Sequence, residues 1–159
     1  MNVLILCTGN SASSILAEAL INARGEGRVR AYSAGSHPNG EVHPLALDTL
    51  RTCELPVEGL RSKSWDEFLG QAAPHMDLVI TVCDQAAAAC PLWPGAPVKA
   101  HWDLPDPSAV EGSEQERRQA FAHTFIALEK RVNMLLGLPL EFLDPDELEQ
   151  QLHIIASVS

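Results

Sequence analysis

A cysteine near the start of the chain stands where a nucleophile could bind an oxyanion. Cys7 follows a short apolar run, and a helix is predicted to begin at Ser14. Free backbone N–H groups at such a turn can surround an anion, and the helix end also stabilises a thiolate, the reactive form of cysteine. A buried structural cysteine before a turn explains the same residues. The predicted loop comprises Cys7, Thr8, Gly9, Asn10, Ser11, Ala12, Ser13 and Ser14.

Two further cysteines could take part in thiol chemistry. Cys83 follows the apolar run 77–82, and Cys90 stands seven residues later, after an alanine-rich stretch. If this stretch is helical, both thiols lie on one face of it, about 10 Å apart. The Cα atoms of a disulfide lie about 4.4–6.8 Å apart, so a bridge would require the stretch to unwind. Alternatively, both cysteines pack as small apolar residues.

Composition and charge exclude several classes of protein. The 159 residues are 46% hydrophobic and carry a formal net charge of −10, without a block of lysine or arginine. This disfavours a nucleic-acid partner, which requires clustered cations. No run of eighteen apolar residues predicts a membrane span, and the N-terminus lacks the basic region of a secretory signal. We therefore expect a cytoplasmic protein.

The number and spacing of the cysteines favour reactive thiols. Four cysteines are too few for a disulfide scaffold in a chain of this size, and no pair has the close spacing of zinc ligands. Cys53 falls on the inner stripe of a predicted helix, so we expect it to be a core residue.

Strands and helices alternate along the chain. Strands are predicted at 3–6, 29–34, 77–82 and 98–102; helices are predicted at 14–23, at 44–53, after capping-box patterns at 64–67 and 113–116, and from 144 onwards. This order predicts one α/β domain over 1–159, with a four-stranded, mainly parallel sheet flanked by helices. Its core would span about 2–136, with a C-terminal helical extension at about 144–156. Ligands bind beyond the carboxyl ends of such strands, where Cys7, Cys83 and the 103–106 loop should meet.

The loop sequence resembles the catalytic loop of low-molecular-weight tyrosine phosphatases and their arsenate reductase relatives. The resemblance continues through segments 32–35 and 77–83, His101-Trp102 and Asp106-Pro107, and covers at least residues 2–136. Segment 59–68 is similar to the arsenate reductase branch. The resemblance thus implies an arsenate reductase on the phosphatase scaffold.

One loop position departs from the family pattern. That pattern, Cys-x₅-Arg, places arginine at position 13, where this chain has Ser13. A guanidinium would bind two oxygens of the tetrahedral anion and stabilise charge in the transition state. Loss of such a donor costs on the order of 10²–10³ in rate, so we expect impaired activity.

The resemblance implies a thiol relay rather than a tightly bound cofactor. Cys7 would attack arsenate, Cys83 would attack the Cys7 sulfur and release arsenite, and Cys90 would then form a disulfide with Cys83. Thioredoxin would reduce that disulfide, although some relatives recruit a small thiol instead. The expected ligand is arsenate or a phosphate-like oxyanion.

Other site residues follow from the same resemblance. Asp106 occupies the position of the family's general acid, although Asp-Pro is also a common turn pair; Asp103 is a substitute. Asn10, Glu18 and Ser33 match positions that hold a potassium ion in some related reductases, and their oxygen ligands suit that cation.

Two other functions remain open at this point. A phosphatase acting on phosphotyrosine or small aryl phosphates would have no need of Cys83 and Cys90. An oxyanion-binding protein with impaired catalysis would account for Ser13.

Overall fold

A parallel sheet of four strands forms the centre of the molecule. The structure is a computed structural model that describes residues 1–70, 72–91, 93 and 97–158. The strands are β1 (Asn2–Cys7), β2 (Arg30–Gly35), β3 (Leu78–Thr81) and β4 (Val98–His101), in the spatial order β2-β1-β3-β4. Every pairing is parallel, so the predicted α/β class and four-stranded sheet are confirmed.

Helices connect and cover these strands. They are α1 (Ser13–Arg24), α2 (Pro44–Thr52), α3 (Asp84–Ala89), α4 (Glu114–Leu136) and α5 (Pro145–Ala156), with short 3-10 helices at Trp65–Phe68, Pro107–Ala109 and Leu140–Phe142. Among the described residues, no helix combines the length and apolar character needed to cross a bilayer.

Alternate side chains of β1 enter two hydrophobic clusters on opposite faces of the sheet. Ile5 and Cys7 belong to the larger cluster, which includes residues of α1, α4 and α5; we call it the helix-side cluster. Leu4 and Leu6 belong to the other, here the tryptophan-side cluster, which includes Trp93. Because successive strand residues point to opposite faces, β1 is buried on both sides, as its apolar sequence predicted.

Two capping predictions differ from the structure. The 64–67 pattern gives a 3-10 helix in which the Ser64 hydroxyl accepts the Asp66 N–H at 3.1 Å. The Glu67 carboxylate instead accepts two hydrogen bonds from Arg61, at 2.6 and 3.0 Å. A bidentate charged pair is stronger than the cap contact that it replaces. At 113–116, Ser113 caps the Glu116 N–H, but the reciprocal backbone bond of a capping box is missing.

The prediction that Cys53 is a core residue is wrong, because its side chain is exposed. Helix α2 ends at Thr52, one residue earlier than predicted. Glu54 then adopts a left-handed φ of 60°, and the Leu55 N–H returns to the Leu50 carbonyl at 2.9 Å. The chain therefore turns at Cys53, which leaves the inner stripe of the helix.

Candidate active site

The loop between β1 and α1 surrounds the sulfur of Cys7. The Asn10 backbone N–H donates to this sulfur at 3.1 Å, and the Ser14 hydroxyl lies 2.9 Å from it. Asn10 Nδ2 donates to Ser14 Oγ at 2.8 Å, which leaves the Ser14 proton available to the sulfur. Asn10 has a φ of 46°, in the left-handed region that asparagine tolerates better than most residues. The loop therefore presents donors to the thiol before any ligand binds.

The loop packs closely against the end of β2. A Cβ atom at Gly35 would collide with the backbone carbonyl of Thr8 and approach Asn10. Only a residue without a side chain allows the two segments to lie this close. The end of β2 thus fixes the position of the loop.

Burial dominates the electrostatics of Cys7. Burial raises the pKa of this thiol above its ordinary value, and the contacts from Ser14 and Asn10, which lower the pKa, do not offset it. Electrostatic repulsion between the Cys7 and Cys83 sulfurs adds to the increase. The thiol therefore stays protonated more readily than a solvated cysteine would.

A cavity of about 540 Å³ opens at this loop. Its described lining contains no lysine or arginine, and its ionisable groups apart from the thiols are Asp84, Asp106 and His37. Ser13 lines the cavity at the first turn of α1, where the family pattern would place a guanidinium. Anion binding here thus depends on backbone N–H groups and the N-terminus of α1.

Cys83 and Cys7 meet at the carboxyl edge of the sheet, where the residues that follow parallel strands were expected. Leu6 pairs with Thr81 in the β1–β3 register, and the Val82 N–H donates to the Leu6 carbonyl at 2.9 Å. The Thr8 hydroxyl lies 3.2 Å from the Cys83 sulfur, and Cys7 and Cys83 line the same cavity.

Cys90 lies apart from these two thiols. The 84–89 stretch is helical, which was the condition for a shared helix face, but Cys83 and Cys90 are extended residues that flank α3. The expectation that both thiols share one helix face is wrong: Cys83 packs against the helix-side cluster and Cys90 against the tryptophan-side cluster. The Cys90 sulfur accepts the indole N–H of Trp93 at 3.2 Å and donates to the Pro91 carbonyl at 3.6 Å.

Asp106 lines the cavity and also stabilises its own turn. Its carboxylate accepts the Ser108 backbone N–H at 2.9 Å and the Ser108 hydroxyl at 2.6 Å. Asp103, the substitute acid, is not part of the described cavity wall. Both the turn role and the acid position considered for Asp106 are therefore compatible with its place.

One further cluster near the site offers possible metal ligands. Asp84, His101 and Asp103 bring ligand atoms within 4.8 Å of one another. Both ring nitrogens of His101 already have partners, Thr81 Oγ1 at 2.7 Å and Asp84 Oδ1 at 2.9 Å. These contacts tie the first residue of α3 to the end of β4.

The predicted potassium ligands form a hydrogen-bonded chain behind the loop. Asn10 Nδ2 donates to Ser33 Oγ at 3.0 Å, and the Ser33 hydroxyl donates to Glu18 Oε1 at 2.9 Å. The Lys63 ammonium lies 3.7 Å from the same Glu18 oxygen, and its backbone N–H donates to Asn10 Oδ1 at 2.9 Å. Lys63 thus supplies the positive charge and occupies the amide oxygen, so these residues do not fit a potassium ion.

Burial shifts the pKa values of Glu18 and Lys63 in the directions that favour their neutral forms. It raises the pKa of Glu18, although Lys63 and Ser33 lower it in part. It likewise lowers the pKa of Lys63, which the carboxylate of Glu18 opposes. Sequence reasoning missed Lys63 and Trp93, because their contacts with Glu18 and Cys90 are set by the fold and not by a local sequence pattern.

Comparisons with known proteins agree with this fold. A family model for low molecular weight phosphotyrosine protein phosphatases matches residues 2–152. An arsenate reductase from Halalkalibacterium halodurans is 32% identical over 130 residues, which are 82% of this chain and 91% of that protein.

Two solved structures share the fold. An arsenate reductase from Archaeoglobus fulgidus, 27% identical, superposes with a TM-score of 0.62 over 82% of this chain and 98% of its own. A thioredoxin-dependent arsenate reductase from Corynebacterium glutamicum, also 27% identical, has a TM-score of 0.54 over 83% of this chain and 61% of its own. With its family match, its relatives and its loop at the end of β1, the chain belongs to the low molecular weight phosphotyrosine protein phosphatase family.

Proposed function

We propose that this chain is an arsenate reductase that works through a relay of Cys7, Cys83 and Cys90. The observation that carries the proposal is the approach of Cys83 to the Cys7 loop through the Thr8 hydroxyl, at 3.2 Å. A phosphatase needs one thiol, whereas a reductase needs a second thiol that can reach the first. The arsenate reductases among the relatives support the same activity.

In the first step, the Cys7 thiolate forms a bond to arsenic and an arsenate oxygen leaves. Backbone N–H groups of the loop and the N-terminus of α1 bind the remaining oxygens. Asp106 lines the same cavity and donates a proton to the leaving oxygen, which departs as water.

In the second step, the Cys83 thiolate attacks the Cys7 sulfur. A Cys7–Cys83 disulfide forms as the sulfur–arsenic bond breaks, and its electron pair stays on arsenic. Arsenic is thereby reduced from the pentavalent to the trivalent state and leaves as arsenite after protonation. The two thiols supply the two electrons.

In the third step, Cys90 attacks Cys83 and frees Cys7. Because Cys90 packs against the other face of the sheet, α3 has to unwind and the Trp93 contact has to break. Only Ala86 of this helix is buried, so unwinding α3 exposes little apolar surface. Thioredoxin then reduces the Cys83–Cys90 disulfide; a small thiol is the alternative reductant, and four free cysteines suit a reducing cytoplasm.

Two features modify this activity. Ser13 leaves transition-state stabilisation to uncharged donors, which lowers the rate on the order of 10²–10³-fold relative to arginine. Lys63 replaces a potassium ion beside Glu18, so turnover does not require that ion.

A phosphatase is the second candidate, because the Cys7 loop and Asp106 together suffice for phosphate-ester hydrolysis. The two activities are separated by measuring thioredoxin-coupled arsenate turnover and p-nitrophenyl phosphate hydrolysis on the same preparations. The variants are Ser13→Arg and Cys90→Ser, with Cys53→Ser as the matched control because that thiol is exposed and remote from the relay.

We expect slow arsenate turnover that rises in Ser13→Arg, disappears in Cys90→Ser and persists in Cys53→Ser. Ester hydrolysis without arsenate turnover in Ser13→Arg would make the protein a phosphatase. Binding of arsenate with neither reaction would make it an oxyanion-binding protein.

A further inference from the structure

The cavity at Cys7 is better suited to an uncharged arsenic species than to an anion. Its described wall carries the carboxylates of Asp84 and Asp106 and contains no lysine or arginine. Arsenate is an anion at neutral pH and meets no cationic side chain in this wall. Arsenous acid, As(OH)₃, is uncharged and does not need one.

The same wall carries two thiols from adjacent strand ends. Cys7 ends β1, and Cys83 follows β3, which pairs with β1 through Leu6 and Thr81. Neighbouring strands lie about 4.8 Å apart, and the Thr8 hydroxyl lies 3.2 Å from the Cys83 sulfur. Trivalent arsenic is a soft centre that favours thiolate sulfur. The two thiols are thus adjacent donors for a trivalent arsenic centre.

The other cysteines are excluded from this site by position. Cys90 is held by the Trp93 indole on the opposite face of the sheet. Cys53 is exposed at the end of α2. Any arsenic bound at the cavity therefore has two protein sulfurs, not three.

We propose that reduced Cys7 and Cys83 form a binding site for trivalent arsenic, which the chain holds as a dithiol adduct. This deepens the proposed function, on which the choice of arsenic rests. Two S–H groups react with As(OH)₃ to give S–As(OH)–S and two water molecules. Arsenic stays trivalent, and no electrons are transferred.

The site exists only in the reduced protein. Arsenite leaves the relay beside a Cys7–Cys83 disulfide, which has no free thiol to bind it. Once the protein is reduced again, the two thiols capture arsenite and exclude the next arsenate. Arsenite is therefore a product inhibitor, and Ser13 shifts the preference of the cavity from pentavalent to trivalent arsenic.

The chain is fully reduced with a phosphine, separated from it under nitrogen, and then titrated with sodium arsenite. Native mass spectrometry counts bound arsenic, and a chromogenic disulfide counts the thiols that remain free. We expect one As(OH) unit per chain and the loss of two free thiols. Cys83→Ser should bind at least about tenfold more weakly, since one of two sulfur bonds is lost.

Two serine variants are the matched controls. Cys53→Ser and Cys90→Ser should both retain arsenite binding. Unchanged binding in Cys83→Ser, or its loss in either control, would overturn the proposal, as would full retention of free thiols at saturating arsenite. The titration needs no turnover: arsenite binding without arsenate reduction refutes only the reductase, and reduction without arsenite binding refutes only this site.

Discussion

Replacement of Lys63 by methionine should destabilise the protein in a strongly pH-dependent way. The side chains of Lys63 and Glu18 are only 7% and 11% exposed, and the ammonium lies 3.7 Å from the carboxylate. In Lys63→Met, the carboxyl group keeps the Ser33 hydroxyl as a donor but loses the positive charge. An unpaired buried carboxylate escapes most of its penalty by taking up a proton.

Protonation sets the size of the effect. Keeping Glu18 protonated above its ordinary pKa of about 4.5 costs about 1.4 kcal/mol per pH unit. In Lys63→Met the penalty stays below about 1 kcal/mol near pH 5 and grows with pH towards about 3–5 kcal/mol, the range for breaking a buried pair. Because the folded-state pKa of Glu18 is raised, its contribution to stability is complete below about pH 4.5 and is lost as pH rises through the folded-state pKa.

The assay is urea unfolding at several pH values, followed by tryptophan fluorescence and extrapolated to water. Lys130→Met is the matched control, because Lys130 is exposed. The difference between the native chain and Lys63→Met should grow from below about 1 kcal/mol at pH 5 to several kcal/mol at pH 8, and Glu18→Gln added to Lys63→Met should abolish that growth. A pH-independent difference, or one no larger than that of Lys130→Met, would refute the reasoning.

Three further changes have measurable consequences. Trp93→Phe keeps an aromatic side chain but removes the indole N–H and with it a hydrogen bond worth about 1 kcal/mol. Iodoacetamide should therefore alkylate Cys90 about fivefold faster, as measured by peptide mass spectrometry; an unchanged rate would show that the indole does not restrain this thiol. Gly35→Ala forces a methyl group against the Thr8 carbonyl and should lower the free energy of unfolding, measured by thermal unfolding, by about 1–3 kcal/mol. Gly70→Ala, with open space around it, should be nearly neutral, and equal losses of stability in the two variants would contradict the close approach at Gly35. Exchange of sodium for potassium chloride at constant ionic strength should leave the unfolding temperature unchanged, because Lys63 already neutralises the buried carboxylate; a potassium-specific rise would argue for an ion site.

The sequence predicted the strands well because each buried strand corresponds to a short apolar run of consecutive residues. Each predicted strand overlaps the observed one to within a residue at either end, since apolar runs bounded by turn residues suit a parallel sheet covered on both faces. The sheet order then places Cys7 and Cys83 together, because β1 and β3 are neighbours in the sheet although β2 lies between them in the chain.

The errors arise where a single residue leaves regular structure. Cys53 lies one residue beyond the end of α2, and the left-handed Glu54 turns the chain there. Cys90 has extended backbone angles after α3, so helical spacing no longer fixes its direction. The contact between Lys63 and Glu18 joins residues far apart in sequence, and no local pattern predicts it.

The absence of arginine at position 13 changes the charge of the site while the surrounding contacts still hold the loop. Asn10 positions the Cys7 sulfur through its backbone N–H and Ser14 through its amide, while Lys63 holds the amide oxygen of Asn10. Each of these contacts runs through residues other than Ser13. Ser13→Arg therefore adds charge to a loop that is already assembled, which is why a gain in arsenate turnover without a change in fold is the expected result. Because the loop contacts do not involve Ser13, the cavity can bind anions more weakly and still present two adjacent thiols to neutral trivalent arsenic.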